Sequence, residues 1–162
     1  MHMAEVSNIA VLQAMIPRGA FAELKFSFPS IVAIVPQVVN ALIGRVTSLR
    51  VADGSEDEIG LALQEALLNA VIHGNRQDPF KRVHVTLGCS AIGEVRITIR
   101  DEGAGFDIGT VPDPTTPEHL LRKNGRGIFL MQVMMDEVSF EDGGTVVHMR
   151  KGAIVKSRPS SW

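Results

Sequence analysis

Three runs of the chain combine residue types and spacings that could bind or transform a ligand. Asn124-Gly125-Arg126-Gly127-Ile128-Phe129-Leu130 places glycines at the opening of an apolar helix. Free backbone N–H groups and the positive end of the helix dipole would meet there, forming an anion site, typically for phosphate. Lys123 and Arg126 add positive charge. The run is not a Walker A loop, because no Gly-Lys-Ser/Thr occurs; it also lacks GxGxxG and the strand–helix setting of a dinucleotide fingerprint. Asp101-Glu102-Gly103-Ala104-Gly105-Phe106 sets an acid and two glycines directly after a strand-like run. That suits close approach of backbone to a ligand, although an ordinary turn has the same composition. Glu65, Asn69 and His73 recur at i, i+4 and i+8, on one helix face flanked by Leu61, Ala62, Ala66, Leu67, Ala70 and Val71. A polar stripe on a largely buried helix must meet something polar. A solvated helix edge is the plainer alternative.

These residues need elements to hold them. Residues 21–28 alternate apolar and polar and read as a strand ended by Pro29-Ser30. Residues 31–49 read as a helix opening near Pro36, since proline is tolerated only in a first turn. Its apolar part, 31–43, could line a core or an interface; Pro36, Gln37 and Asn40 interrupt it too often for a bilayer span. Ser55-Glu56-Asp57-Glu58 has the form of a capping box opening a helix from Glu56 to about His73. Gly74-Asn75 would stop that helix, both residues tolerating a left-handed backbone. Residues 83–87 and 95–99 form a hairpin around 90–93, and residues 138–140 and 145–150 a second around Asp142-Gly143-Gly144. Between the hairpins lie a glycine-rich loop, a segment with Pro112, Pro114 and Pro117, and a short apolar helix over 127–135. The order β, α, α, ββ, loop, α, ββ predicts an α/β (α+β) two-layer sandwich: a mixed, mainly antiparallel sheet with helices on one face. Residues 1–20 are expected as an N-terminal arm, with a tag remnant at 1–3, residues 21–151 as the domain and 152–162 as a polar tail.

Composition narrows the function. The 162 residues are 45% hydrophobic and 21% charged, ordinary for one soluble domain. A net charge of −2 argues against a broad basic nucleic-acid surface. Seven Phe, one Trp and no Tyr make a base-stacking platform a poor fit. Cys89 is the single cysteine, which excludes an internal disulfide and a multi-Cys zinc site; it reads as a small strand hydrophobe. The five His residues have no ligand spacing. With no signal peptide visible, a cytoplasmic protein is expected, meeting neither membrane nor nucleic acid directly.

Jointly and in this order, Glu65xxxAsn69 with His73-Gly74, Asp101-x-Gly103-x-Gly105, Gly125-x-Gly127 and Gly144-Thr145 resemble the N, G1, G2 and terminal Gly-Thr boxes of the GHKL ATPase/kinase superfamily. The resemblance spans about residues 20–151. It is most like the stand-alone anti-sigma-factor serine/threonine kinases, on Asn-Ala-x-Ile-His-Gly-Asn, a short lid, and Gly-Arg-Gly-Ile-Phe-Leu-Met followed by Met-Asp-Glu-Val. It implies a histidine-kinase-like (Bergerat-type) ATP-binding fold using ATP and Mg²⁺. In it Glu65 would be the general base and Asn69 would help hold Mg²⁺. Asp101 would accept the adenine amino group, with Gly103 and Gly105 lying against the nucleotide. Gly125 and Gly127 would bind phosphates through N–H groups, and Thr145 would support the adenine site. The γ-phosphate cation is Lys123, where relatives tend to place arginine, or Arg126. His73 either closes the helix end or takes part at the site. Residues 107–124 would be the lid, ordering on nucleotide binding.

The implied partners are a sigma factor, an anti-sigma-factor antagonist phosphorylated on Ser or Thr, and a second copy in a homodimer. An ATP-binding module that sequesters a partner without phosphotransfer is the alternative, and Lys123 permits it. A histidine-kinase catalytic domain is less expected, because only about 20 residues precede the first strand. Gyrase-like and chaperone-like relatives would need a following transducer domain.

Overall fold

The computed structural model describes residues 4–5, 21–52, 54–105 and 123–152. Its strands are β1 (Ala4–Glu5), β2 (Phe21–Pro29), β3 (Arg82–Ser90), β4 (Val95–Arg100), β5 (Glu137–Glu141) and β6 (Val146–Lys151), in the sheet order β1-β2-β3-β4-β6-β5. The two-residue β1 joins β2 in parallel, and every other pairing is antiparallel. The sheet is therefore mixed and mainly antiparallel, as the alternation predicts.

Register explains why one face is dry. Leu24 pairs with Leu87, Leu87 with Ile97, Ile97 with Met149 and Met149 with Val138. A neighbouring row runs Phe26, Val85, Ile99, Val147, Phe140. Side chains alternate across a strand, so these rows share one face, and helices cover it. The opposite face carries Lys25, Thr86, Thr98, His148 and Ser139 in register, with Lys25 and Ser139 exposed and the other three half-buried. There the Thr98 hydroxyl lies 2.9 Å from His148 Nδ1.

The first helix, α1 (Val35–Leu49), has Pro36 in its first turn and ends at a left-handed Arg50, φ 52°. Val35, Val38, Val39, Leu42 and Val46 are its buried stripe. Residues 32–49 have a mean hydropathy of 1.5, enough for a membrane span by length and composition. Yet Pro36, Gln37, Asn40, Gly44, Thr47 and Ser48 are exposed on the other side, the pattern of a helix lying on a core. From Val35 on, the apolar stretch lines the core, whereas Ile31 and Val32 are exposed.

The second helix, α2 (Glu56–Leu68), buries Ile59, Ala62, Leu63, Ala66 and Leu67. Its opening departs from the expected capping box. Ser55 makes no cap bond, and its hydroxyl is buried without a partner. The turn is closed by Glu56, whose Oε2 accepts from Gly54 N at 2.9 Å. Glu58, the expected box partner, is drawn instead into an ion pair with Lys151. The helix end differs too. Residues Asn69–Gly74 wind as a π turn, and Asn75 keeps a right-handed backbone at φ −83°. The left-handed residues are Arg76 (φ 55°) and Gln77 (φ 58°).

The third helix, α3 (Lys123–Met134), begins four residues before the expected 127. Only the first four N–H groups of a helix lack an intrahelical partner. Gly125 is among them, and Gly127 is already beyond them. The segment expected as the lid falls outside the described residues apart from its last two, which open α3. Of the expected arm and tail, Ala4–Glu5 and Gly152 alone are described.

Candidate functional site

Two clusters form where the tail of α2 passes beneath α3 and the end of β4. In the first, α2 carries Glu65 and the π turn begins at Asn69, both half-buried. A methyl group on Gly127 would lie 2.9 Å from Glu65 Oε2, and 3.3 and 3.4 Å from Asn69 Nδ2 and Oδ1. The bare backbone of Gly127 is what lets α3 lie against this carboxylate–amide pair. Gly127 matters here for its missing side chain, which its place in a run expected to bind phosphate does not reveal.

The second cluster gathers around Asp101 at the end of β4. Asp101 N donates to Thr145 O at 3.0 Å, extending the β4–β6 ladder by one rung. Gly103 N donates to Asp101 Oδ1 at 2.8 Å. The carboxyl group lies over Gly74, where a methyl group would sit 2.4 Å from Oδ2; one on Gly103 would sit 2.1 Å from Gly74 O. Gly105, at φ 79°, passes so close to the turn before Thr145 that a methyl group would meet Gly143 O at 2.3 Å. Thr145 Oγ1 donates to Asp142 O at 3.0 Å. Among the described residues no donor reaches Asp101 Oδ2. Burial pushes the Asp101 carboxyl above its ordinary range, opposed by the Gly103 N–H and the Lys81 charge.

Glu102 is turned out of this cluster. Its carboxylate meets His84 Nε2 at 2.9 Å and accepts from Arg82 N at 2.9 Å. The hydrogen bond from His84, then that from Arg82, holds its pKa below the usual range.

The π turn joins the clusters, Asn69 at one end facing Glu65 and Gly127, Gly74 at the other under Asp101. The same turn breaks the i, i+4, i+8 stripe: Glu65 and Asn69 stay together, while His73 is exposed and its side chain hydrogen-bonds to none of the described residues. Arg126 is likewise exposed. Lys123 and Gly125 lie in the first turn of α3. Sequence reasoning took Asn75 for a helix stop and missed its side chain, which is buried and bonded to three other segments. Its one sequence signal is a polar residue following a helix-ending glycine, which turns share.

Among the described residues no group of three His, Cys, Asp or Glu could cage a metal. Mg²⁺ does not need a cage: it is commonly held by one or two protein oxygens plus phosphates and water. The Asn69 amide oxygen beside Glu65 fits that demand. An Asp101 carboxylate oxygen that no described donor reaches, over two glycines that admit no side chain, fits the edge of a flat ligand with an amino group.

The profile of the histidine kinase-like ATPase domain matches residues 29–151. The anti-sigma F factor of Heyndrickxia coagulans is 36% identical over 102 residues, covering 59% of this chain and 68% of that protein. The anti-sigma F factor of Geobacillus kaustophilus is 39% identical over 108 residues, 62% of this chain and 71% of that protein. The serine-protein kinase RsbW of Bacillus licheniformis is 34% identical over 102 residues, 59% of this chain and 63% of that protein. Two-layer fold, glycine-lined clusters and profile agree, and the chain belongs to the histidine kinase-like ATPase domain family of the GHKL superfamily, on the side of the anti-sigma-factor kinases.

Proposed function

We propose that this chain is an ATP-dependent anti-sigma-factor serine/threonine kinase, which binds a sigma factor and phosphorylates an antagonist protein on Ser or Thr. One observation carries the reading. Glu65, Asn69 and the bare backbone of Gly127 converge, a π turn away from an open Asp101 carboxylate. Phosphoryl transfer needs positioning, charge neutralisation and a base, and these residues divide that work. Asp101 selects the nucleotide by accepting the adenine amino group, with Thr145 and Gly105 walling the same end. Gly125 presents its N–H to phosphate, and Lys123 or Arg126 supplies positive charge. Asn69 would help hold Mg²⁺, which would supply positive charge to offset that of the phosphates. Glu65 takes the proton of the partner's hydroxyl as that oxygen bonds to the γ-phosphorus and ADP departs. The same reading includes a homodimer acting in the cytoplasm, which light scattering of the purified chain checks in its first part.

The test is incubation with Mg-ATP carrying a labelled γ-phosphate and a candidate antagonist. Label on the partner's serine or threonine supports transfer. Glu65→Gln should lower transfer by ~10²–10⁴-fold and leave ATP affinity nearly intact. If ATP binds and label never moves, the kinase reading falls. A sequestering ATP-binding module would remain, the reading that Lys123 in place of arginine permits.

A further inference from the structure

We infer that Asn75 is a positioning residue for nucleotide selectivity, holding the Asp101 loop in register from beneath. The inference rests on the reading of Asp101 as the adenine acceptor and extends it to a residue that does not touch the ligand.

The side chain of Asn75 is 1% exposed, and both its amide hydrogens and its oxygen are hydrogen-bonded. Nδ2 donates to Ser30 Oγ at 2.9 Å and to Arg82 O at 2.8 Å. Oδ1 accepts from Glu102 N at 2.7 Å. Asn75 N donates to Ala70 O at 2.8 Å, the i→i+5 bond that belongs to the π turn. One residue therefore ties together the end of β2, the start of β3, the α2 tail and the loop after β4. Glu102 follows Asp101 directly, so the bond to its N–H fixes the peptide that aims the Asp101 carboxyl over Gly74.

Among the described residues no group other than the Asn75 amide bonds the Glu102 N–H. Glu102's carboxylate is engaged outward with His84 and Arg82. Gly103 N is bonded to Asp101 itself, so it follows the carboxyl group wherever it moves. Asn suits the position because one planar amide offers two donors and an acceptor in opposite directions. Alanine would leave the buried Ser30 hydroxyl and the part-buried Arg82 carbonyl and Glu102 N–H without this partner, a loss at each.

The test uses the full chain and compares ATP and GTP affinities by calorimetry, with hydrogen exchange read at the Glu102 amide. Asn75→Ala should weaken ATP binding about tenfold or more, the scale of one orphaned buried hydrogen bond, and leave GTP binding nearly unchanged. The ATP-to-GTP preference should fall, and the Glu102 amide should exchange faster. A residue that merely stabilises the fold would weaken both nucleotides in proportion, and that result overturns the inference. If Asn75→Ala does not fold, Ser30→Ala is used, which removes one of the amide's two acceptors. It should lower the preference roughly two- to threefold; an unchanged preference with unchanged Glu102 exchange overturns the inference as well. Failure of the underlying reading looks different: wild type would then bind ATP and GTP alike, or Asp101→Asn would leave the preference untouched.

Discussion

Gly103 and Gly127 are both required bare, for different reasons with different expected phenotypes. At Gly103 an added methyl group meets the carbonyl of Gly74 at 2.1 Å, a backbone atom that cannot rotate away. Gly103→Ala should weaken ATP binding at least about tenfold and destabilise the fold by ~1–3 kcal/mol, read by calorimetry and thermal melting. At Gly127 the methyl group meets the carboxylate end of Glu65, which can swing aside. Gly127→Ala should keep ATP affinity within a few-fold yet cost transfer about a hundredfold, because a small misplacement of the base suffices. Asp101 adds a pH signature. Burial lifts its folded pKa above the unfolded 3.8. Its stabilising share is thus complete below pH 3.8 and lost as pH rises through the folded value. Asp101→Asn should melt higher than wild type at pH 7 without nucleotide, the gap closing toward pH 3, and should lose the melting shift with ATP. A variant less stable than wild type at pH 7 would show that the Gly103 hydrogen bond outweighs the burial of the charge. The residue types at these sites were legible as motifs. What each glycine is bare for was not, because it depends on which distant atom passes over it.

At the scale of elements, Lys151 fastens the helix layer to the sheet. Its ammonium pairs with Glu58 at the start of α2, donates to Met134 O at the end of α3 at 2.7 Å, and lies 3.7 Å from Asp136. The side chain is 13% exposed. Lys151→Met keeps the stem and removes the charge, and should lose about 1–3 kcal/mol in urea unfolding. Hydrophobic alternation announced β2, β3 and β4, and Pro36 marked the start of α1. The capping box failed because Glu58 has a stronger partner almost a hundred residues away in sequence, which local spacing cannot reveal. The π turn escaped for a related reason. An i→i+5 bond at Asn75 wins only because Ser30, Arg82 and Glu102 are waiting for the same residue's side chain.

At the scale of the whole molecule, the two-layer class was legible because strands with one dry face require a single covering layer. The strand order was not, since β2–β3 and β4–β6 join segments distant in the chain. That order has a kinetic consequence. The β3–β4 hairpin closes over only Ala91–Glu94, so it can form early and locally. Adding β2 must close the chain around α1 and α2, and adding β6 must close it around α3 and β5. Long-range pairings form late, because the entropy of closure is lost before contacts reward it. Ile97→Ala, in the hairpin, should slow folding in stopped-flow measurements, whereas Val147→Ala on β6 should mainly speed unfolding. The rung from Asp101 N to Thr145 O belongs to the late closure. A chain still folding would thus hold its early hairpin before it has the site proposed for adenine, and nucleotide should slow unfolding without accelerating folding.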